Sequence, residues 1–334
     1  MEYNFLGNTG VRVSELCLGT MSFGGVADDE TSAKMFHHCR EAGINFFDCA
    51  NVYQHGVSEE ILGKLINDCR DEVVITSKFY FPMGDDVNAR GGSRKHIITA
   101  VENSLRRLNT DYIDLYFIHR FDDNTPLEET LRSLDDLVRQ GKILYPAASN
   151  FAGWQIAKAL GISAKERWAP FVCIQPMYNL VKRQVEVEIL PLAEAENLGV
   201  MTYSPLGGGL LTGKYGLARK PETGRLVENE MYKTRYGANW LYKIAEGFTT
   251  FAQKRGYNPA SLAVAWVAAH PAVTAPIIGA RNVDQLKGSL GALEIEMTPE
   301  LRAEVSALSP TPPLATDRNE EQTTFNYNSK LKDE

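Results

Sequence analysis

Eight short apolar runs recur along the 334 residues, and amphipathic stretches lie between them. The runs are Leu16–Leu18, Asn45–Asp48, Val73–Lys78, Asp114–His119, Tyr145–Ser149, Val172–Gln175, Val200–Tyr203 and Thr274–Ile278. Thr31–Ala42, Arg94–Leu108, Leu127–Gln140 and Val187–Leu198 read as helices. In the second, Ile97, Ile98, Val101, Leu105 and Leu108 recur at helical spacing. The third opens on Glu128 and Glu129 and carries Arg139 near its end, an order that suits the helix dipole. Strand–helix alternation implies parallel strands. Eight of them predict a closed (β/α)8 barrel of the TIM type, with an open doubly wound sheet as the alternative.

Three segments stand outside that scheme. Residues 1–13 hold Tyr3, Phe5, a Gly7-Asn8-Thr9-Gly10 turn, Val11 and Val13, and read as a β-hairpin capping one barrel end. Residues 207–238 are rich in Gly, Lys, Arg and Glu and lack core periodicity, which predicts a long functional loop. Residues 311–334 form a polar tail, in which Phe325 and Tyr327 are candidates to fold over the site. Residues 1–310 are thus expected to form one barrel domain.

A net charge of -7 argues against bulk nucleic-acid binding, which needs a basic face. The five cysteines form no C-x-x-C pair and are odd in number, so reduced thiols are expected rather than a disulfide framework or a zinc site. His37-His38 on a predicted helix is a poor metal pair, and no metal is expected. The N-terminus shows no basic segment followed by an apolar one, which points to a cytoplasmic protein. Tyr257 to Ala280 lacks charge, but Asn258, Pro259, Pro271 and Pro276 interrupt it. It reads as a buried helix and a strand, not a membrane span.

In such a barrel the chemistry gathers at the C-terminal ends of the strands. Those ends carry Asp48, Lys78, His119, Ser149-Asn150, Gln175 and Tyr203-Ser204, with Tyr53 on the loop after Asp48. Several polar groups therefore end otherwise apolar strands on one face. Gly208 to Lys214 matches G-x-x-x-x-G-K, but Tyr215 stands where a phosphate-binding loop needs Ser or Thr, and no G-x-G-x-x-G is present.

The segments GTMSFGG (19–25), NFFDCANVYQHGVSEEILGKLI (45–66), VVITSKF (73–79), DYIDLYFIHR (111–120), AASN (147–150), IQPMYNL (174–180), TYSPLGGGLLTGKY (202–215) and PIIGARNVDQL (276–286) carry a resemblance across nearly the whole chain. In these the sequence resembles the aldo-keto reductase superfamily, above all its bacterial, fungal and potassium-channel-β branches. The resemblance implies a barrel enzyme that uses NADP(H) to reduce an aldehyde or ketone. It implies a catalytic tetrad of Asp48, Tyr53, Lys78 and His119. Carbonyl reduction needs hydride at carbon and a proton at oxygen. Tyr53 is the expected proton donor, with Lys78 expected to lower its pKa, Asp48 to hold Lys78, and His119 to polarise the carbonyl. Ser149, Asn150 and Gln175 would hold the nicotinamide carboxamide, and Tyr203 would stack on its ring. Ser204, Leu206, Gly208 and Lys214 would contact the pyrophosphate. Gly279, Ala280, Arg281, Gln285 and Ser289 would surround the adenosine, with Arg281 the partner of a 2′-phosphate.

Three departures from the family pattern stand out. Pro146 lies inside the fifth strand, where it removes a ladder donor and predicts a local break. Gly288-Ser289 replaces a Glu-Asn pair near the adenine. Arg120 follows His119 and places a cation at the rim, or pairs with Asp122 or Asp123. Met21, Phe23, Phe81, Arg120, Phe121 and Phe151 are the expected substrate walls. Two further readings remain open: an NADP(H)-binding sensor subunit like the channel-β proteins, and an alcohol dehydrogenase working in the oxidative direction. The expected partner is a small carbonyl or alcohol compound, with neither nucleic acid nor membrane, and the resemblance allows oligomeric assembly.

Overall fold

The computed structural model describes residues 1–323. It opens with an antiparallel hairpin, β1 (Tyr3–Phe5) and β2 (Arg12–Ser14), paired Tyr3 to Ser14 and Phe5 to Arg12. Eight strands follow: β3 (Cys17–Gly19), β4 (Phe46–Asp48), β5 (Val74–Phe79), β6 (Ile113–Ile118), β7 (Ile143–Ser149), β8 (Cys173–Gln175), β9 (Gly199–Thr202) and β10 (Ala275–Ile278). They form a closed parallel barrel in chain order, with β10 pairing back onto β3. The helices are α1 (Asp29–Glu41), α2 (Val57–Ile66), α3 (Arg94–Leu108), α4 (Leu127–Arg139), α5 (Gly153–Glu166), α6 (Ile189–Ala195), α7 (Arg225–Glu228), α8 (Glu230–Tyr236), α9 (Asn239–Lys254), α10 (Pro259–Ala268), α11 (Val283–Leu290) and α12 (Pro299–Ser306). Caps set several starts. Asp28 and Ser93 accept from Thr31 and His96 N–H, and Asn258 caps α10 ahead of Pro259.

Side-chain alternation along each strand separates two cores. Outward residues such as Phe47, Ile75, Tyr116 and Ile174 pack against the helices. Inward residues Phe46, Val74, Leu115, Phe117, Ala147, Cys173 and Met201 fill the barrel, and Leu6 and Val13 of the hairpin join them. The hairpin therefore plugs one end with apolar side chains. Two steps along each strand from an inward apolar residue, the same face carries Asp48, Ser149, Gln175 and Tyr203. Four steps from Val74 it carries Lys78, and two from Phe117 it carries His119. The other end of the barrel interior is thus polar.

Residues 207–238 are not the unpatterned loop that their composition suggests. They contain a 3-10 turn (Gly207–Thr212), α7 and α8. Leu210, Leu211, Tyr215, Leu226, Tyr232 and Tyr236 are buried and anchor the segment to the main core. Irregular spacing of these anchors hides them from a periodicity search. Pro146 makes no break either: β7 runs through it, in register with Tyr116. Its carbonyl accepts from Val172 N–H. A residue of a parallel ladder directs both its backbone groups to one neighbour, so the missing donor faces the segment before β8 begins. Among the described residues, no helix is long and apolar enough to cross a membrane. Phe325 and Tyr327 lie outside the described residues.

Candidate active site

Asp48, Lys78, Tyr53 and His119 meet at the polar end of the barrel. Lys78 is completely buried, and its Nζ donates to Asp48 Oδ1 at 2.6 Å, to Cys49 O at 2.7 Å and to Tyr53 Oη at 3.4 Å. Asp48 Oδ1 also accepts from Thr76 Oγ1 and Gln175 Nε2, each at 2.8 Å. The rings of Tyr53 and His119 meet edge to face, centroids 6.1 Å apart. His119 Nδ1 is buried without a hydrogen-bond partner. Thr76 escaped the sequence reading, although its position two residues before Lys78 on an inward face marks it as a neighbour of the pair.

Burial holds the His119 imidazole well below its ordinary pKa, and the Lys78 ammonium pushes the same way. The ring is neutral at physiological pH. Tyr53 moves in the direction opposite to the sequence expectation. Burial pushes its phenol well above the ordinary tyrosine value, and the Asp48 carboxylate adds to this. Lys78 does not offset this, because it faces Asp48 at 2.6 Å and lies farther from Tyr53 Oη. The pair offers Tyr53 a weaker field than a lone ammonium would.

The residues expected around the nicotinamide form one hydrogen-bonded chain. Ser149 Oγ donates to Gln175 O, Asn150 Nδ2 to Ser149 Oγ and His119 O, and Tyr203 Oη to Asn150 Oδ1 at 2.7 Å. Beyond Ser204 and Leu206, the run Gly207–Gly209 takes φ of 59°, 68° and 103°. Two of these N–H groups are engaged within the loop, Gly207 donating to Ser204 O at 2.9 Å and Gly209 to Leu206 O at 3.0 Å, so the run is a tight left-handed turn that only glycine adopts freely. Lys214 is exposed nearby in sequence. No helix follows the run until Arg225, unlike a phosphate-binding loop of the ATPase kind. After β10, Arg281 is half-buried and faces Glu228 of α7 at 3.6 Å, while its N–H donates to Gln285 Oε1. Gly279 is exposed and Ala280 buried, with its carbonyl accepting from Ser22. Ser289 is fully buried with an unpartnered hydroxyl, so it presents no open surface to an adenosine. The donor set otherwise fits a dinucleotide. It has an amide-rich group beside the tetrad, a glycine turn after β9 and a guanidinium after β10.

The expected substrate walls divide. Phe81 is half-buried with its ring 4.9 Å from His119, Phe121 is half-buried, and Met21 and Arg120 are exposed. Phe23 and Phe151 are not open walls. Phe23 is completely buried in the main core, and Phe151 packs edge-on against Phe171 within it. Trp154 is 61% exposed beside Phe121. Asp122 does not take up Arg120. It is buried and accepts from Gly92 N, Asn124 N and Thr125 Oγ1. Among the described residues no group of three or more His, Cys, Asp or Glu side chains is placed to hold a metal.

A barrel with these side chains at its polar end defines a class, and comparison with known proteins agrees. The sequence profile described as Aldo/keto reductase family matches residues 15–310, and the chain belongs to that family. It is 39% identical to the Bacillus subtilis protein named Uncharacterized oxidoreductase YrpG, over 93% of this chain and 97% of that one. It is 36% identical to a rice protein named Probable voltage-gated potassium channel subunit beta, over 95% and 99% of the two chains. It is 33% identical to Versiconal hemiacetal acetate reductase of Aspergillus parasiticus, over 90% and 94%. Membership makes it an oxidoreductase of small molecules, in a family that generally uses nicotinamide cofactors.

Proposed function

We propose that this chain uses NADP(H) to reduce an aldehyde or ketone to an alcohol, with Tyr53 delivering the proton. The observation that carries the reading is the Lys78 ammonium bonded to both Asp48 and Tyr53 beside a neutral His119. When bound, the reduced nicotinamide supplies the hydride. Ser149, Asn150, Gln175 and Tyr203 would hold its ring end, Ser204, Leu206, Gly208 and Lys214 its pyrophosphate and Arg281 its 2′-phosphate.

Burial keeps the Tyr53 phenol protonated, so a proton is held at Oη until the substrate oxygen becomes basic enough to take it. Lys78 stabilises the phenolate left behind. Asp48, itself held by Thr76 and Gln175, fixes Lys78 in the interior. His119 can offer an N–H to the carbonyl oxygen, where negative charge develops. For alcohol oxidation the same proton returns to Tyr53. The five free thiols suit a reducing, cytoplasmic compartment.

A second reading has its own support. Rice and Arabidopsis relatives named as probable potassium channel β subunits are 36% and 35% identical to this chain. On that reading the chain holds NADP(H) as a sensor and turns over slowly.

The test is oxidation of NADPH, followed by absorbance, across aldehydes, ketones and quinones, with Tyr53→Phe alongside. Turnover that vanishes in the variant while NADPH still binds is expected. Binding without turnover on every carbonyl would transfer the weight to the sensor reading.

A further inference from the structure

Tyr53 opens a turn of unusual backbone. Gln54 and His55, which follow it, lie in the left-handed region at φ of 48° and 51°, and Gly56 follows at 101°. Non-glycine residues hold such angles only where their surroundings over-determine them. The turn runs directly into α2, and α2 carries Glu59, a carboxylate with no solvent exposure. One Glu59 oxygen accepts from Ser77 Oγ, and the other from Arg107 Nε at 2.7 Å. Ser77 precedes Lys78 on β5 and points to the opposite face of the strand. Arg107 of α3 also packs on the turn, where a Cβ on Gly56 would lie 2.7 Å from Arg107 Cδ.

We infer that Glu59, held by Arg107, is a positioning residue that ties the strained Tyr53–Gly56 turn to the strand of Lys78 and so sets the Tyr53–Lys78 contact. The inference rests on the catalytic roles proposed above for Tyr53 and Lys78. Glu59 touches neither of them. One of its bonds ends on the residue before Lys78, and the other ends on the side chain that fills the space beside Gly56. A buried carboxylate is retained at a desolvation cost unless both oxygens are satisfied, and here each oxygen has a partner from a different element. The result is a brace behind the barrel wall, across β5, α2 and α3, on the side away from substrate. Geometry held at the scale of an ångström has large leverage on a proton donor.

The experiment uses the full chain labelled with 13C at tyrosine Cζ, the Tyr53 resonance being assigned with Tyr53→Phe. Glu59→Gln, Ser77→Ala, Arg107→Met and Arg107→Lys are compared with wild type for that resonance, NADPH affinity, kcat and KM. The expected result is a displaced Tyr53 resonance and a kcat lowered about 10- to 100-fold, with KM and NADPH affinity held within about threefold. Arg107→Lys should recover part of the loss that Arg107→Met causes. If Glu59→Gln does not fold, Ser77→Ala and Arg107→Met test the same brace from its two ends. A wild-type Tyr53 resonance with unchanged kcat in the folded variants would overturn the inference, as would a parallel fall in NADPH affinity and melting temperature without a change at Tyr53. Should wild type reduce no carbonyl at all, the proposed activity fails separately, and the Tyr53 resonance alone decides the brace.

Discussion

Gln175 reaches across the barrel from β8 to β4 and donates its side-chain amide to Asp48 Oδ1 at 2.8 Å. The two strands stand four apart in an eight-stranded ring, so the bond spans its interior. Gln175 also accepts from Ser149 Oγ through its backbone carbonyl, and Ser149 bonds Asn150, which bonds Tyr203. The groups proposed for the nicotinamide end and those proposed for the proton are therefore one network. Replacing Gln175 by Met should weaken NADPH binding and also lower kcat at saturating cofactor. Steady-state kinetics at increasing NADPH separate the two effects. A kcat fully restored by excess cofactor would confine Gln175 to cofactor binding.

Lys78 has no solvent exposure and Asp48 almost none, so each depends on the other as a counter-ion. Asp48→Asn leaves a buried ammonium without a negative partner. Such a change is expected to destabilise the fold by about 3–5 kcal/mol. Adding Lys78→Met should restore much of that loss, because the unpaired charge is then gone. Urea unfolding of the two variants checks the prediction. A single variant as stable as wild type would show that the Cys49 carbonyl and the Tyr53 hydroxyl solvate Lys78 well enough alone.

Arg281 faces Glu228 at 3.6 Å, longer than the tight ion pairs of this molecule, and is one-third exposed. Its guanidinium is thus only loosely engaged and suits a phosphate, which it can match in geometry and charge. Arg281→Ala should weaken NADPH far more than NADH. Glu228→Gln should strengthen NADPH modestly, since a carboxylate competing for the same cation is removed. Titration of both nucleotides by fluorescence measures this. Equal weakening of the two by Arg281→Ala would remove the 2′-phosphate role.

The barrel was legible because strand periodicity and helix periodicity differ and the chain alternates between them eight times. The inward face of β5 shows why the site was legible too: Val74 packs the interior, and Lys78, at the same parity, emerges at its polar end. Burial beyond nearest neighbours was not. Phe23 looks like a loop aromatic, but Val57 and Ile61 of α2 crowd the adjacent Gly24 and the segment folds inward. Tyr53 shows the same limit for charge. Its neighbour Lys78 is in the sequence, but the depth of burial and the prior claim of Asp48 on that ammonium are properties of three dimensions. Glu59 lies in the first turn of α2, an ordinary place for a carboxylate, and only packing reveals that it is enclosed.

His270 gives the fold a pH dependence independent of catalysis. Its Nδ1 accepts a hydrogen bond from Ala272 N–H at 3.1 Å, which requires an unprotonated nitrogen. Burial, aided by Arg302 and Arg183 against the pull of Glu186, lowers its pKa to about 4. The Tyr178 ring packs edge-on against the imidazole as well. The unfolded chain takes up this proton near pH 6.5, the folded chain only near 4. Below pH 6.5 the unfolded state therefore binds more protons, and stability falls as pH falls. The contribution is complete above about pH 6.5 and is lost towards pH 4, reaching up to about 3 kcal/mol. His96 and His119, both lowered by burial, add in the same direction. Glu186, bonded to Arg183 and Tyr178, is held below the usual glutamate value and keeps its charge through most of this window. His270→Asn retains an oxygen that can accept from Ala272 N–H and removes the titrating group. Melting temperature measured from pH 7 to pH 4 should fall less steeply for this variant than for wild type. Parallel curves would place the acid sensitivity in the other two histidines or in the carboxylates.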